Sequence, residues 1–204
     1  MPPNVVFFPG ATGSGDFWAP VAQRLPSEWG STSLSWPGAG AVPSVPGING
    51  YEDLVGLAAA EVPDGSDVVA QSMGGVVAIG LALARPEKIR RLVLVATSGG
   101  LDVSALGGSD WRGEYRSEFP EAAVWVTGDH LDYSSLLPSI SIPVSMIWGD
   151  ADPISPVSVG TALNATLPRS TLHVVAGGTH AVAREHPDQV AALIEQHLAD
   201  QPPA

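Results

Sequence analysis

The segment Val68-Val69-Ala70-Gln71-Ser72-Met73-Gly74-Gly75-Val76-Val77-Ala78 carries no charged residue and changes character abruptly at Ser72. Its β-branched start predicts a buried strand over Asp67–Gln71, and the apolar stretch Gly75–Ala84 predicts a helix ended by Arg85-Pro86. A strand that passes through small residues straight into a helix presents one hydroxyl on a sharp turn, with the helix N-terminus behind it. A serine hydroxyl is a poor nucleophile until a base removes its proton and backbone N–H groups await the developing oxyanion. The turn needs small residues two before and two after the serine; here they are Ala70 and Gly74.

Two further segments supply partners. Residues 143–152 read as an apolar strand, Val144–Trp148, ending in Gly149 and then Asp150 and Asp152. Residues 172–180 read as the end of a strand, Thr171–Val175, followed by Gly177, Gly178 and His180. Serine, acid and histidine each fall just past the C-terminal end of a predicted strand. In an open parallel sheet those ends share one edge, where ligands bind, so distant residues converge there. Position alone leaves both Asp150 and Asp152 open as the acid. His173 lies within a strand, and His186 and His197 lie at or in the last helix, where structural or solvated roles are expected.

Taken with the N-terminal segment Phe7-Phe8-Pro9-Gly10-Ala11-Thr12-Gly13-Ser14-Gly15-Asp16-Phe17-Trp18, these motifs resemble the α/β-hydrolase family from Val5 to about Leu198. Gly10 and Trp18 keep the spacing of the family's oxyanion loop, with Pro9 where histidine is common. The resemblance implies Ser72 as nucleophile, Asp152 as the acid of Gly-x-x-Asp, His180 as base, and the N–H groups of Ala11 and Met73 as the oxyanion hole. It places Trp18 among the substrate-binding candidates. It implies an α/β fold: one domain over 1–204, a mostly parallel sheet of about six strands with helices on both faces, and a short lid at about 98–142. The implied activity is cleavage of a small or medium carboxylic ester through an acyl-enzyme, without cofactor or metal. Thioester or amide hydrolysis, lyase or C–C bond cleavage, perhydrolysis, and ligand binding by a vestigial triad use similar machinery and stay open.

The rest of the chain alternates strand and helix: a strand at Val5–Phe8, a helix at Phe17–Leu25, a strand at Ser31–Trp36, a helix near Tyr51–Glu61, a buried strand at Arg91–Ala96, a helix near Pro156–Leu167, and a final helix from Pro187. Within the insertion, Trp111, Tyr115 and Phe119 recur every fourth residue, with Arg112 and Arg116 beside them. Either a lid helix packs its aromatics on the body, or the stripe forms a substrate wall with a cationic edge. Asp129-His130-x-Asp132 lacks further ligands at metal-binding spacing.

The chain has no cysteine, so disulfides and thiolate metal sites are excluded. A formal charge of −12 opposes binding to nucleic acid, whose phosphates it repels. The basic cluster Arg85, Lys88, Arg90 and Arg91 flanks a helix end, where cations are favourable. No apolar run reaches membrane-spanning length and no leader pattern stands out. The expectation is a cytoplasmic protein acting on a small-molecule ester, with no nucleic-acid or membrane partner and an oligomeric state that the sequence does not specify.

Overall fold

The computed structural model describes residues 2–128 and 130–199. Six strands form one sheet in the order β2-β1-β3-β4-β5-β6, and every adjacent pair is parallel. The chain enters at β1 (Asn4–Phe8) and passes through a 3-10 turn, Gly15–Trp18, and the single turn α1 (Ala19–Ala22). Then come β2 (Gly30–Ser33), α2 (Tyr51–Glu61), β3 (Ser66–Gln71), α3 (Met73–Ala84) and β4 (Ile89–Val95). The insertion carries α4 (Arg112–Glu118) and the short α5 (Trp125–Gly128). The chain closes with β5 (Val144–Gly149), α6 (Val157–Thr166), β6 (Ser170–Val175), α7 (Val182–Glu185) and α8 (Pro187–Ala199).

Alternation along the strands sorts their side chains into two layers. Val6, Phe8, Val68, Ala70, Leu92 and Leu94 face the side covered by α2, α3, α6 and the insertion. Val5, Phe7, Val69, Val93 and Ile147 face the side covered by α1, α7 and α8. Helix α3 is buried from Met73 through Ala82 because it lies between the sheet and an outer layer. Its apolar surface on all sides follows from that position.

Two predicted elements are shorter than expected. The Phe17–Leu25 helix is reduced to the 3-10 turn and α1, with Pro20 at its start and Arg24 N–H already bonding back to Val21 O at 2.9 Å. The Ser31–Trp36 strand stops at Ser33, because Trp36 turns inward: its N–H donates to Gly13 O and its indole N–H to Pro9 O.

Strand order reverses between β1 and β3, since the chain runs outward to β2 and then returns to the other side of β1. Such a switch point opens a crevice at the C-terminal strand ends. The β1 loop and Ser72 lie there. Among the described residues, no helix is long and apolar enough to cross a membrane.

Candidate active site

Ser72 follows β3 directly and has φ 52° and ψ −121°. For a residue with a Cβ this backbone region costs on the order of 1–3 kcal/mol, so the surroundings must hold it. Ser72 N–H donates to Val95 O at 3.0 Å, and Ser72 O accepts from Gly75 N–H at 2.9 Å and Thr97 Oγ1 at 2.6 Å. A Cβ on Gly74 would sit 2.4 Å from Pro9 O, which is why the β1 loop can press so closely against the turn. Ala70, at the other small position, lies in β3 opposite Phe8 and Leu94.

Asp152 and His180 arrive on the loops that follow β5 and β6, on the far side of β4 from the serine strand. His180 Nε2 lies 2.9 Å from Ser72 Oγ, and its Nδ1 lies 2.8 Å from Asp152 Oδ2. The Asp152 carboxylate is fully buried, whereas the His180 ring is 22% exposed. Asp152 Oδ1 accepts the N–H groups of Ile154 and Ser155 at 2.8 and 3.0 Å. Desolvation of that carboxylate is thus met by three hydrogen-bonding groups. Asp150 behaves differently. It is exposed, and its Oδ1 accepts Gly177 N–H at 2.6 Å, tying the two loops together away from His180. The loops meet closely enough that a Cβ on Gly149 would lie 2.0 Å from Gly178 O.

The loop bearing His180 has its own clasp. Glu185 accepts Thr179 N–H at 2.8 Å and Thr179 Oγ1 at 2.7 Å. These bonds, the backbone one first, hold the Glu185 carboxyl below its ordinary value of 4.5. Gln71 Nε2 donates to His180 O at 3.2 Å.

Met73 stands in the first turn of α3, where a backbone N–H has no intrahelical acceptor. Ala11 lies in the loop that abuts the serine: a Cβ added to Gly10 would come within 3.1 Å of Ser72 Cβ. Both N–H groups belong to segments that adjoin Ser72.

A cavity of about 530 Å³ opens over Ser72, Met73 and His180 and is walled by the insertion, including Leu101, Val103 and Trp111. Arg112 also lines it. Its guanidinium pairs with Asp110 at 3.1 Å, donates to Thr127 O at 3.1 Å, and stands 5.6 Å from the Trp111 ring centre. Asp102 and Asp132 line the same cavity. Hydrogen bonds from Ser104 and Ser134 hold their carboxyls below the ordinary value of 3.8, so both are ionised at neutral pH. Of the expected cationic edge only Arg112 reaches this wall, where it stands among Asp102, Asp110 and Asp132, so the charge balance of the wall is acidic.

Three candidates for substrate binding lie elsewhere. Trp18 is fully buried on the opposite face of the sheet, between Phe7 and Phe17, with its indole N–H bonded to Phe8 O at 3.0 Å. Arg116 is exposed and does not line the cavity. Tyr115 is buried, and its hydroxyl donates to Ala11 O at 2.9 Å while accepting Gly40 N–H at 2.7 Å. Among the described residues no three His, Asp or Glu side chains gather as metal ligands; Asp129 lies outside them.

Sequence reasoning missed Thr97 and Ser155. Both are buried, and Ser155 Oγ donates to Thr97 O at 3.2 Å. Thr97 was visible as the residue just past β4, the strand beside the serine strand, but nothing in its identity marked it.

Residues 5–135 match the model of the alpha/beta hydrolase family. A pimeloyl-[acyl-carrier protein] methyl ester esterase of Neisseria meningitidis is 27% identical over 216 residues, covering 83% of this chain and 83% of that protein. One from Chromobacterium violaceum is 25% identical over 243 residues, covering 98% and 95%. Among solved structures, a thermophilic esterase from Thermogutta terrifontis matches with a TM-score of 0.79 at 22% identity, covering 98% of this chain and 90% of that one. A bromoperoxidase from Bacillus anthracis matches with a TM-score of 0.79 at 18% identity, covering 98% and 93%. At those identities the two structures share the fold alone.

Proposed function

This chain belongs to the alpha/beta hydrolase family, and from that premise we infer that it is a serine esterase working through an acyl-enzyme on Ser72. The observation that carries this reading is the continuous contact from Ser72 Oγ to His180 Nε2 at 2.9 Å and from His180 Nδ1 to the buried Asp152 at 2.8 Å.

In this mechanism Ser72 Oγ attacks the ester carbonyl carbon as His180 Nε2 takes its proton. Asp152 fixes the imidazole with Nδ1–H toward itself and stabilises the imidazolium that forms. The carbonyl oxygen becomes an oxyanion held by the N–H groups of Ala11 and Met73; a donor at such a site is worth about 10²–10³ in rate. The tetrahedral adduct collapses, and His180 returns the proton to the departing alkoxide. Water, deprotonated by the same histidine, then attacks the acyl-enzyme, which breaks down to the carboxylic acid and free Ser72. Every step uses groups of this chain.

The cavity volume of about 530 Å³ suits a small or medium substrate. Relatives named as methyl ester esterases support an oxygen ester of a small alcohol over a thioester or amide. Labelling with a fluorophosphonate followed by peptide mapping tests the assignment. Ser72 is expected to carry the label and Ser72→Ala to carry none. Label on another serine, or undiminished ester turnover by Ser72→Ala, overturns it.

A further inference from the structure

Three consecutive carbonyls of the β1 loop are each taken by a donor. Pro9 O accepts the Trp36 indole N–H at 2.7 Å, and Gly10 O accepts Gly13 N–H at 3.0 Å. Ala11 O accepts the Tyr115 hydroxyl at 2.9 Å. Of these donors only Tyr115 comes from the insertion; the others lie in the loop itself or just past β2.

The Tyr115 oxygen also accepts Gly40 N–H at 2.7 Å, so one hydroxyl joins the lid helix, the β1 loop and the loop after β2. The last two are already in tight contact, since a Cβ on Gly40 would lie 2.0 Å from Thr12 O. The tyrosine ring is held by Trp111 edge-on at 5.4 Å and by Phe119 at 5.1 Å. Burial pushes its hydroxyl above the ordinary value of 10.0, so it remains a protonated donor over the working pH range.

We propose that Tyr115 is a positioning residue that latches the lid helix to the oxyanion loop and so ties the placement of the Ala11 N–H to the position of the lid. The proposal rests on the serine-esterase reading. The Ala11 N–H shares its peptide plane with Gly10 O, which Gly13 N–H holds at 3.0 Å, and Tyr115 pins the next plane through Ala11 O, so the two bonds bracket Ala11 and leave its N–H little freedom to turn. Trp111, one helical turn before Tyr115, lines the cavity. An acyl chain resting on Trp111 therefore presses on the same element that holds the oxyanion loop. Acyl-group fit then affects turnover as well as binding.

The test compares wild type, Ser72→Ala, Tyr115→Phe and Phe119→Leu on p-nitrophenyl acetate. It also measures affinity for phenylboronic acid, whose boron becomes a tetrahedral anion on a serine oxygen. Tyr115→Phe keeps the ring and loses only the hydroxyl. Its kcat is expected to fall at least about tenfold, short of the 10²–10³ for losing a donor outright. Its KM should stay within about twofold, and its boronate affinity should fall by the same factor as kcat. Phe119→Leu, which loosens one ring contact of Tyr115 but spares the hydroxyl, should lower the melting temperature and weaken boronate affinity by less than Tyr115→Phe does.

Retained turnover in Ser72→Ala overturns the esterase reading and the latch with it. An inactive Ser72→Ala, combined with wild-type kcat and boronate affinity in Tyr115→Phe, overturns the latch alone. Hydrogen exchange on the wild type asks the same question without a variant. Boronate bound at Ser72 should slow amide exchange in residues 112–118 together with 10–13, and protection confined to 10–13 overturns the latch.

Discussion

Thr97 Oγ1 donates a 2.6 Å hydrogen bond to the carbonyl oxygen of Ser72, joining the end of β4 to the strained turn at the end of β3. The Thr97 carbonyl accepts Ser155 Oγ at 3.2 Å, and Ser155 N–H donates to Asp152 Oδ1 at 3.0 Å. One fully buried threonine thus connects the turn bearing Ser72 with the loop bearing Asp152. Its close fit is set from the helix side, since a Cβ on Gly75 would come within 2.4 Å of Thr97 Oγ1.

Replacing Thr97 by valine keeps the shape and removes the donor. Loss of a buried hydrogen-bond partner costs about 1–3 kcal/mol. Thr97→Val should therefore melt at a lower temperature and, with Ser72 O left only the Gly75 N–H, turn over about tenfold more slowly at nearly unchanged KM. Thr97→Ser, which restores the hydroxyl, should recover most of kcat. Equal losses of kcat in the valine and serine variants would show that packing by the methyl, not the hydrogen bond, is what matters.

The two acids after Gly149 are separable by the partners that each holds. In Asp152→Asn, the N–H groups of Ile154 and Ser155 claim the amide oxygen, which turns the NH₂ toward His180 Nδ1. The imidazole is then driven to the wrong tautomer, and turnover should drop by about 10³–10⁴. Asp150→Asn leaves an oxygen that still accepts Gly177 N–H, so its rate should stay within about threefold of wild type. Steady-state kinetics on one ester decides the matter, and a reversal of the two effects would move the acid to Asp150.

What could be read from the chain follows from where the information lies. The strands before Ser72 and Asp152 are signalled by short apolar runs, the strand before His180 by Leu172, Val174 and Val175 ahead of two glycines, and α2 spans Tyr51–Glu61 as its pattern predicts. Those signals are local, and a parallel sheet then brings their C-terminal ends together. The lid stripe was visible too, because Trp111, Tyr115 and Phe119 share a helical face. Its role was not, because the residue that Tyr115 touches, Ala11, lies 104 positions away. Trp18 and Arg112 make the same point. Trp18 is buried on the far face of the sheet, and Arg112, although it lines the cavity, pairs there with Asp110; both are tertiary facts.

The Thr179–Glu185 clasp gives the His180 loop an acid-sensitive element. Glu185 has its carboxyl held below 4.5 by the Thr179 N–H and hydroxyl, so the ionised form is favoured by folding. That stability is present above about pH 4.5, the unfolded value, and is lost as pH falls through the lower folded one. Glu185→Ala should therefore reduce the difference in melting temperature between neutral pH and pH 4 and lower kcat modestly at neutral pH. An unchanged acid profile in the variant would remove Glu185 from the account.

The cavity wall predicts substrate charge and size. Asp102 and Asp132 carry charge at neutral pH, whereas the Arg112 charge is paired with Asp110. An ester whose acyl chain ends in a free carboxylate should be cleaved at least about threefold more slowly than its neutral dimethyl counterpart, and added salt should narrow the gap by screening. Joint Asp102→Asn and Asp132→Asn substitution should narrow it at low salt, because each amide oxygen still accepts the serine groups that order these turns. Equal rates for the two esters in the wild type would mean that the wall does not sense acyl charge. Trp111 sets the size limit on the same wall. Trp111→Ala should shift the best acyl chain toward longer members, by about tenfold in relative kcat/KM across a chain-length series. The two effects are independent: removing the indole changes length preference for neutral esters, whereas removing the carboxylates changes charge preference at fixed length.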